Sequence, residues 1–347
     1  MTDAAAATPA RRRLPALTLA TGGLVVLGLS VSAAVGVGAV GVPLGTVWGV
    51  VADRLVPGLV APDWPAGHAA IVWEIRLPRA LLAAMVGAGL ALVGASLQSV
   101  TRNPLADPHL LGISAGGALG AIAALLHTGL FLGLMTVPLM AFAGALLSTL
   151  LVLAVTSFAR ATSADRLVLA GVAVSFVVMA CANVLVFLGD PRAAHTVVFW
   201  MLGGLGLARW DQLVYPAVVL AAAGAWLAAN AGRLNAMTVG DETAASLGIP
   251  VARFRLTVFV AGAALTGVMV AFSGIIGFVG LMVPHIVRMV VGGDHARVLP
   301  ASALLGAIAL VWADIAARTV MAPEDVPIGI VTGLVGGAFF VWLLRRR

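Results

Sequence analysis

The fold is organised around residues 233–255, which read RLNAMTVGDETAASLGIPVARFR in a chain that is otherwise close to continuous hydrocarbon. This stretch is too polar to cross a bilayer, so we expect it to lie in water or on another protein. Thr238 is predicted to cap a short helix and Gly248 to end it. Asp241 and Glu242 fall in the first turn, where the helix dipole favours anions. Because a simple connection between two spans needs only a few residues, a helix here predicts a docking element.

Composition identifies an all-α polytopic membrane protein. Of 347 residues, 61% are hydrophobic and 10% are charged, with a mean hydropathy of +1.10, whereas a soluble domain is about 25% charged. We expect one transmembrane domain over residues 1–347, which begins with a short cytoplasmic tail at 1–13. Ten apolar runs approach the length of a bilayer-spanning helix, at about 17–40, 79–100, 109–127, 133–158, 167–188, 212–230, 255–276, 277–292, 300–319 and 328–344.

Charge sets the expected orientation. All 20 basic residues are arginines, and the net charge of +6 is concentrated at the ends of the apolar runs. With ten spans and the N-terminus in the cytoplasm, most arginines fall on the inner side, as the positive-inside rule requires. Both termini and residues 233–255 then face the cytoplasm. The same distribution gives no reason to expect nucleic-acid binding.

Several chemistries are excluded or disfavoured. Since the chain has no lysine, it cannot form a Walker A loop, so any ATP and its Mg²⁺ must be bound by another chain. A single cysteine, Cys181, excludes an internal disulfide. Only Asp314 brings a carboxylate into an apolar run, which disfavours a proton-coupled carrier, because such carriers need buried titratable groups. No convergent nucleophile or metal constellation indicates an intramembrane enzyme.

Glycines recur at every fourth position in two apolar runs. The first stripe is Gly112, Gly116 and Gly120 and the second begins at Gly329, continuing through residues 333 and 337. Such stripes let helix backbones approach closely. We therefore predict close helix packing at both stripes.

Two turns on the inner side suit either a gate or a plain connector. In the first, Asn103 and Leu105 flank a proline, and Asp107 before a second proline predicts a helix start. The second turn lies within residues 160–166 and contains Ser163. The residue pattern leaves gate and connector open at both.

Arginines on the outer side run against the positive-inside rule. Arg76 and Arg79 stand three residues apart around Pro78, so they are expected on one face of the first turn of a helix. Arg318 ends another span on the same side, four residues after Asp314, with which it can pair. These cations could reach lipid phosphates or receive the carboxylates of a soluble partner. The sequence by itself favours neither.

The histidines near the C-terminal spans could either bind a metal or form structural hydrogen bonds. His285 shares a helix face with Arg288, and Asp294 with His295 follows in the next turn. Because a third ligand is not evident, hydrogen-bonded structural roles are favoured and no metal site is predicted.

Taken in order, these motifs resemble the FecCD-type permeases of bacterial ABC importers from about residue 73 onward. The resemblance rests on Arg76-Leu-Pro-Arg79, Arg102-Asn-Pro-Leu-Ala-Asp-Pro108, Trp200-Met-Leu-Gly-Gly204, Gly240 to Gly248, Pro284-His-Ile-Val-Arg288, Ala313-Asp-Ile-Ala-Ala-Arg318 and Pro327-Ile-Gly329. It implies the type II importer permease fold in the bacterial inner membrane. It also implies a homodimer, two cytoplasmic ABC ATPase subunits, a periplasmic binding protein and no cofactor bound by the permease itself.

The resemblance also implies roles for particular residues. Coupling to the ATPase falls on Thr238, Gly240, Asp241, Glu242, Ala244, Leu247 and Gly248. The cytoplasmic gate falls on Asn103, Leu105, Ser163 and Asp165, although residues 164 and 165 depart from the Thr-Ser pair of the vitamin B12 permease. Arg76, Arg79 and Arg318 match the arginines that receive the binding protein. Among cargoes, the overall resemblance favours haem, with ferric siderophores or vitamin B12 as alternatives.

Overall fold

The computed structural model describes residues 16–158 and 164–345, and within these ranges the regular structure is helical. The α-helices of the described ranges are α1 (Ala16–Gly36), α2 (Leu44–Leu55), α3 (Ala66–Ala70), α4 (Leu77–Thr101), α5 (Ile113–Ala123), α6 (Thr136–Phe158), α7 (Ala164–Leu188), α8 (Ala194–Met201), α9 (Trp210–Ala229), α10 (Ala231–Val239), α11 (Asp241–Ser246), α12 (Val251–Ser273), α13 (Val279–Val291), α14 (His295–Thr319) and α15 (Ile328–Arg345).

The structure confirms the prediction of an all-α polytopic protein, and each of the ten predicted spans coincides with a helix. Seven helical stretches of the described ranges are long and apolar enough to cross a membrane, namely those containing α4, α6, α7, α9, α12, α14 and α15. The apolar stretches of α1, α5 and α13 are shorter. Helices α2, α3 and α8 lie between predicted spans, where the sequence indicated only loops.

Two predicted helix starts are wrong. Arg76 does not lie in a first turn, because helix continues from Ala66 to Thr101 through a wider π turn at Ile71–Arg76. Such a turn relieves the clash between the Pro78 ring and the carbonyl four residues before it. Thr238 is not a cap either. It lies inside α10 and donates its hydroxyl to the Leu234 carbonyl at 2.8 Å.

Helix α4 is the centre of the bundle. It packs against α9, α12, α13 and α14, and 83% of its most apolar window is buried. The contacts are backbone to backbone: a Cβ added to Gly87 would overlap the Gly306 carbonyl of α14, and one added to Gly94 would overlap the Gly280 carbonyl of α13. Only glycine therefore permits these crossings, as in other membrane helix pairs.

The first predicted glycine stripe is confirmed as a packing surface. A Cβ on Gly116 would overlap the Gly144 carbonyl of α6, and one on Gly120 would overlap the Met140 carbonyl. The second stripe does not pack in this way within the described chain, where only Gly329 is approached closely. Positions 333 and 337 open onto unoccupied space, and 17% of the most apolar window of α15 is buried.

The glycine crossings yield a stability prediction. Gly87→Ala should lower the free energy of unfolding by about 1–3 kcal/mol, because the new methyl group meets a backbone carbonyl that cannot rotate away. The measurement is the melting temperature of the purified protein in detergent.

Gly28→Ala in α1 is the matched control, since nothing lies within 4 Å of a Cβ at that position. Alanine is the better helix former, so this variant should keep or slightly raise the melting temperature. Equal losses in both variants would contradict backbone crowding as the cause.

Candidate functional site

Residues 233–255 run from α10 through the short helix α11 into the start of α12. Helix α11 spans Asp241–Ser246, with both acids in its first turn, as predicted. Gly248 takes the left-handed conformation (φ +78°), and the Ile249 amide donates to the Ala244 carbonyl at 3.1 Å. This pattern ends the helix as predicted.

The predicted coupling residues of this segment divide into two faces. Thr238, Glu242, Leu247 and Gly248 are exposed, and Leu247 exposes 67% of its surface. Gly240 and Asp241 are half-buried and Ala244 is fully buried. The segment therefore has one exposed face, called the ridge, which consists of Thr238, Glu242, Leu247 and Gly248. Its opposite face packs on the helix bundle through Ala244.

An arginine whose role the sequence did not reveal holds this segment. Arg255 of α12 is 2% exposed, and its Nη2 donates to both carboxylate oxygens of Asp241, at 2.7 and 2.8 Å. Its Nε donates to the Val100 carbonyl in the last turn of α4, at 3.1 Å. Hydrophobic spacing could not reveal this role, because the partner Asp241 lies in another element.

The turn after α4, residues 102–107, is the predicted first gate. Arg102 ends α4 in the left-handed conformation (φ 51°). The Asn103 side chain accepts from the Leu105 amide at 2.9 Å, and the Asn103 carbonyl accepts from the Ala106 amide at 3.1 Å. Leu105 is 56% exposed. The turn is thus rigid and carries one exposed apolar side chain, a geometry compatible with a gate or a connector.

The second predicted gate turn is only partly described. Ser163 lies outside the described residues, and Asp165 is the second residue of α7. The gating role of both turns stays a prediction.

Asp294 and His295 have a structural role at the start of α14. The Asn235 side chain of α10 donates to Asp294 at 2.8 Å and accepts from the His295 amide at 2.8 Å. The hydrogen bond from Asn235, followed by that from the Ala296 amide, holds the pKa of Asp294 below its usual value. These contacts join α10 to α14.

At the opposite end of α4, the three predicted docking arginines are buried. Arg76 donates from Nη1 to the Val35 carbonyl at 2.9 Å and from Nη2 to the Val40 carbonyl at 2.6 Å. Arg318 donates from Nη2 to the Ala34 carbonyl at 2.9 Å. Both guanidinium groups thus satisfy carbonyls at and just beyond the end of α1.

Arg79 is the centre of an ion-pair network. Its Nε lies 2.8 Å from Asp314 and its Nη1 lies 2.6 Å from Asp325. Asp314 also pairs with Arg318 at 3.0 Å, which confirms the predicted pairing within α14. The Asp314 side chain is 1% exposed, whereas that of Asp325 is 39% exposed. Asp325 is therefore the solvent-exposed partner of Arg79, and Asp314 is its buried partner.

Known proteins resemble this chain along most of its length. The vitamin B12 import system permease protein BtuC of Salmonella typhimurium is 41% identical over 291 residues, which cover 83% of this chain and 88% of that protein. The protein of the same name from Citrobacter koseri is 40% identical, covering 83% of this chain and 87% of that protein.

Solved structures agree on the architecture. An inward-facing metal-chelate type ABC transporter superposes with a TM-score of 0.80 at 28% identity, covering 95% of this chain and all of that one. PsaBC from Streptococcus pneumoniae, solved with a Fab, has a TM-score of 0.53 at 16% identity and shares the fold alone. The family model described as the FecCD transport family matches residues 24–346. With helices suited to crossing a membrane many times, the chain belongs to the FecCD transport family.

Proposed function

We propose that this chain is the permease subunit of an ATP-driven importer that carries a metal chelate from periplasm to cytoplasm. Membership of the FecCD transport family is the observation that carries the proposal. Cobalamin is the first cargo to test, because relatives at 40–41% identity are named as vitamin B12 permeases. Haem, which the sequence resemblance favoured, and ferric siderophores are the competing cargoes.

The proposed working unit is a homodimer in the inner membrane with both termini in the cytoplasm. Two ATPase subunits bind it from inside, and these, not the permease, bind ATP and Mg²⁺. Helices α7 and α15 offer apolar surface that either a second copy or lipid would cover: Phe176 and Phe187 of α7 are 75% and 86% exposed, and Leu334 of α15 is 71% exposed. The open positions 333 and 337 on α15 leave room for close approach of another helix.

The exposed ridge of α11 is the proposed contact with the ATPase. Leu247 supplies an apolar anchor and Glu242 an acid at the helix N-terminus, while Thr238 and Gly248 border the ridge. When ATP binding closes the ATPase pair, the ridge moves with it and switches access through the proposed gate of Asn103, Leu105, Ser163 and Asp165. A ligand shifts such an equilibrium only through contacts that differ between the two states.

The arginine cluster is proposed to receive the periplasmic binding protein by carboxylate exchange. Arg79 is the member that a soluble partner would reach by displacing Asp325, because Arg79 itself is buried and Asp325 is 39% exposed. A carboxylate of the binding protein would take the place of Asp325, while Arg76 and Arg318 hold the surrounding backbone. Directed guanidinium–carboxylate pairs make such an exchange specific.

Leu247→Ala and Glu242→Ala test the ATPase contact. Truncating an interface anchor costs on the order of 2 kcal/mol, more than a tenfold loss of affinity. ATP-dependent uptake into proteoliposomes and co-purification of the ATPase should both fall.

The control is Leu256→Ala on α12, where the side chain is 43% exposed, and it should keep both activities. Uptake that persists in the α11 variants and follows an imposed proton gradient would instead favour a proton-coupled carrier.

Cargo is tested by ATPase stimulation. The complex with its binding protein should hydrolyse ATP faster on addition of cyanocobalamin than with haem or a ferric siderophore at equal concentration. If haem alone stimulates hydrolysis, haem rather than cobalamin is the cargo, and the importer assignment stands.

Asp325→Asn tests carboxylate exchange at Arg79. Removing the internal competitor should tighten binding of the binding protein by up to about fivefold, since half-exposed ion pairs contribute at most about 1 kcal/mol. Arg79→Gln should weaken it. The control Asp211→Asn breaks an exposed pair with Arg209 and should change nothing. If Asp325→Asn leaves the affinity unchanged, Arg79 has a structural role only.

A further inference from the structure

We infer that Ser99, Asp241 and Arg255 form a clamp that fixes the α10–α11 segment to the last turn of α4 and so transmits ATPase movement to the gate turn, residues 102–107. This inference rests on the proposed function. It assigns positioning roles to Ser99 and Arg255, and it gives Asp241 an internal role in place of contact with the ATPase.

The first half of the clamp is ionic. Nη2 of Arg255 holds the Asp241 carboxylate at 2.7 and 2.8 Å, and Nε of the same guanidinium donates to the Val100 carbonyl. One rigid, planar group thus joins the first residue of α11 to the last turn of α4. The Arg255 side chain is 2% exposed and the Asp241 side chain is 39% exposed, so solvent reaches the pair only from the carboxylate side.

The second half is a hydroxyl contact with α10, seven residues before Asp241. Ser99 donates to the Leu234 carbonyl at 2.7 Å, and its oxygen lies 3.2 Å from that of Thr238. Ser99 is completely buried, so the contact is made between two packed helices. Both halves of the clamp therefore end on α4, at residues 99 and 100.

The attachment points lie directly before the gate turn. Two residues after Val100, Arg102 ends α4, and its Nη2 lies 4.0 Å from the Asp241 carboxylate. Asn103 and Leu105 follow without an intervening flexible residue. Gln98, one residue before the clamp, donates to the Ala106 carbonyl at 3.4 Å. Movement of α11 therefore reaches both ends of the turn through α4.

Helix α11 depends on the clamp for its position. With six residues it is too short to be stable alone. Its buried contact is the small side chain of Ala244, while the ridge residues face outward. Losing the Asp241 charge should leave the ridge able to bind the ATPase but loosen its orientation relative to α4.

The test uses the permease assembled with its ATPase in proteoliposomes. Cys181 is replaced by alanine, and Leu105→Cys serves as a reporter of the gate turn. The labelling rate of the reporter with a water-soluble maleimide is measured without nucleotide and with ATP plus vanadate. With the clamp intact, nucleotide should change the rate. In Asp241→Asn the ATPase should remain bound and active, while the ratio of the two rates falls toward one.

Asp241→Glu should restore the nucleotide response, because it returns the carboxylate to Arg255. Ser99→Ala should reduce the response in part. Arg253→Gln is the matched control: it removes the same charge two residues from Arg255, but from an exposed position, and should respond like the parent.

Four results would overturn the clamp. An unchanged response in Asp241→Asn means that α11 moves the gate by another route, while the importer assignment stands. If Asp241→Asn loses the bound ATPase, Asp241 contacts the ATPase directly. If Arg253→Gln also loses the response, the loss in Asp241→Asn comes from a change in net charge rather than from the clamp. A parent protein that never responds to nucleotide overturns the proposed function together with the clamp.

Discussion

The close approach of α4 to its neighbours is the constraint on which the rest of the structure depends. Lipid supplies no hydrophobic force to press helices together, so membrane helices rely on backbone packing and on internally satisfied polar groups. Gly87 and Gly94 allow α4 to touch α14 and α13 directly. With α4 enclosed, its two ends become fixed points to which polar groups can attach.

Both polar centres are attached to this helix. The arginine cluster lies where the run from Ala66 enters α4, and the clamp lies at its last turn. From residue 76 to residue 101 a helix extends roughly 38 Å, a little more than the hydrocarbon core of a bilayer. One enclosed element thus joins the proposed docking surface for the binding protein to the proposed gate turn.

The roles of several charged residues become clear only from their buried contacts, because the sequence gives only their residue types and their spacing. Arg76 and Arg318 satisfy backbone carbonyls near the end of α1, so they support the fold as well as any docking role. Asp241, assigned to the ATPase contact by resemblance, turns inward to Arg255. In each case the partner lies in another element, and spacing along a helix cannot identify such a partner.

Sequence by itself determined the helical class, the ten apolar runs, the polar segment at 233–255 and the pairing of Asp314 with Arg318, because these depend on hydrophobicity and on neighbours within one turn. Only the tertiary structure decided that the second glycine stripe, unlike the first, stays open at position 333, that Arg79 has Asp325 as an internal partner, and that Arg255 holds α11. Those outcomes depend on which helices are in contact. The packing of segments distant in the sequence determines these contacts, and the local residue pattern does not.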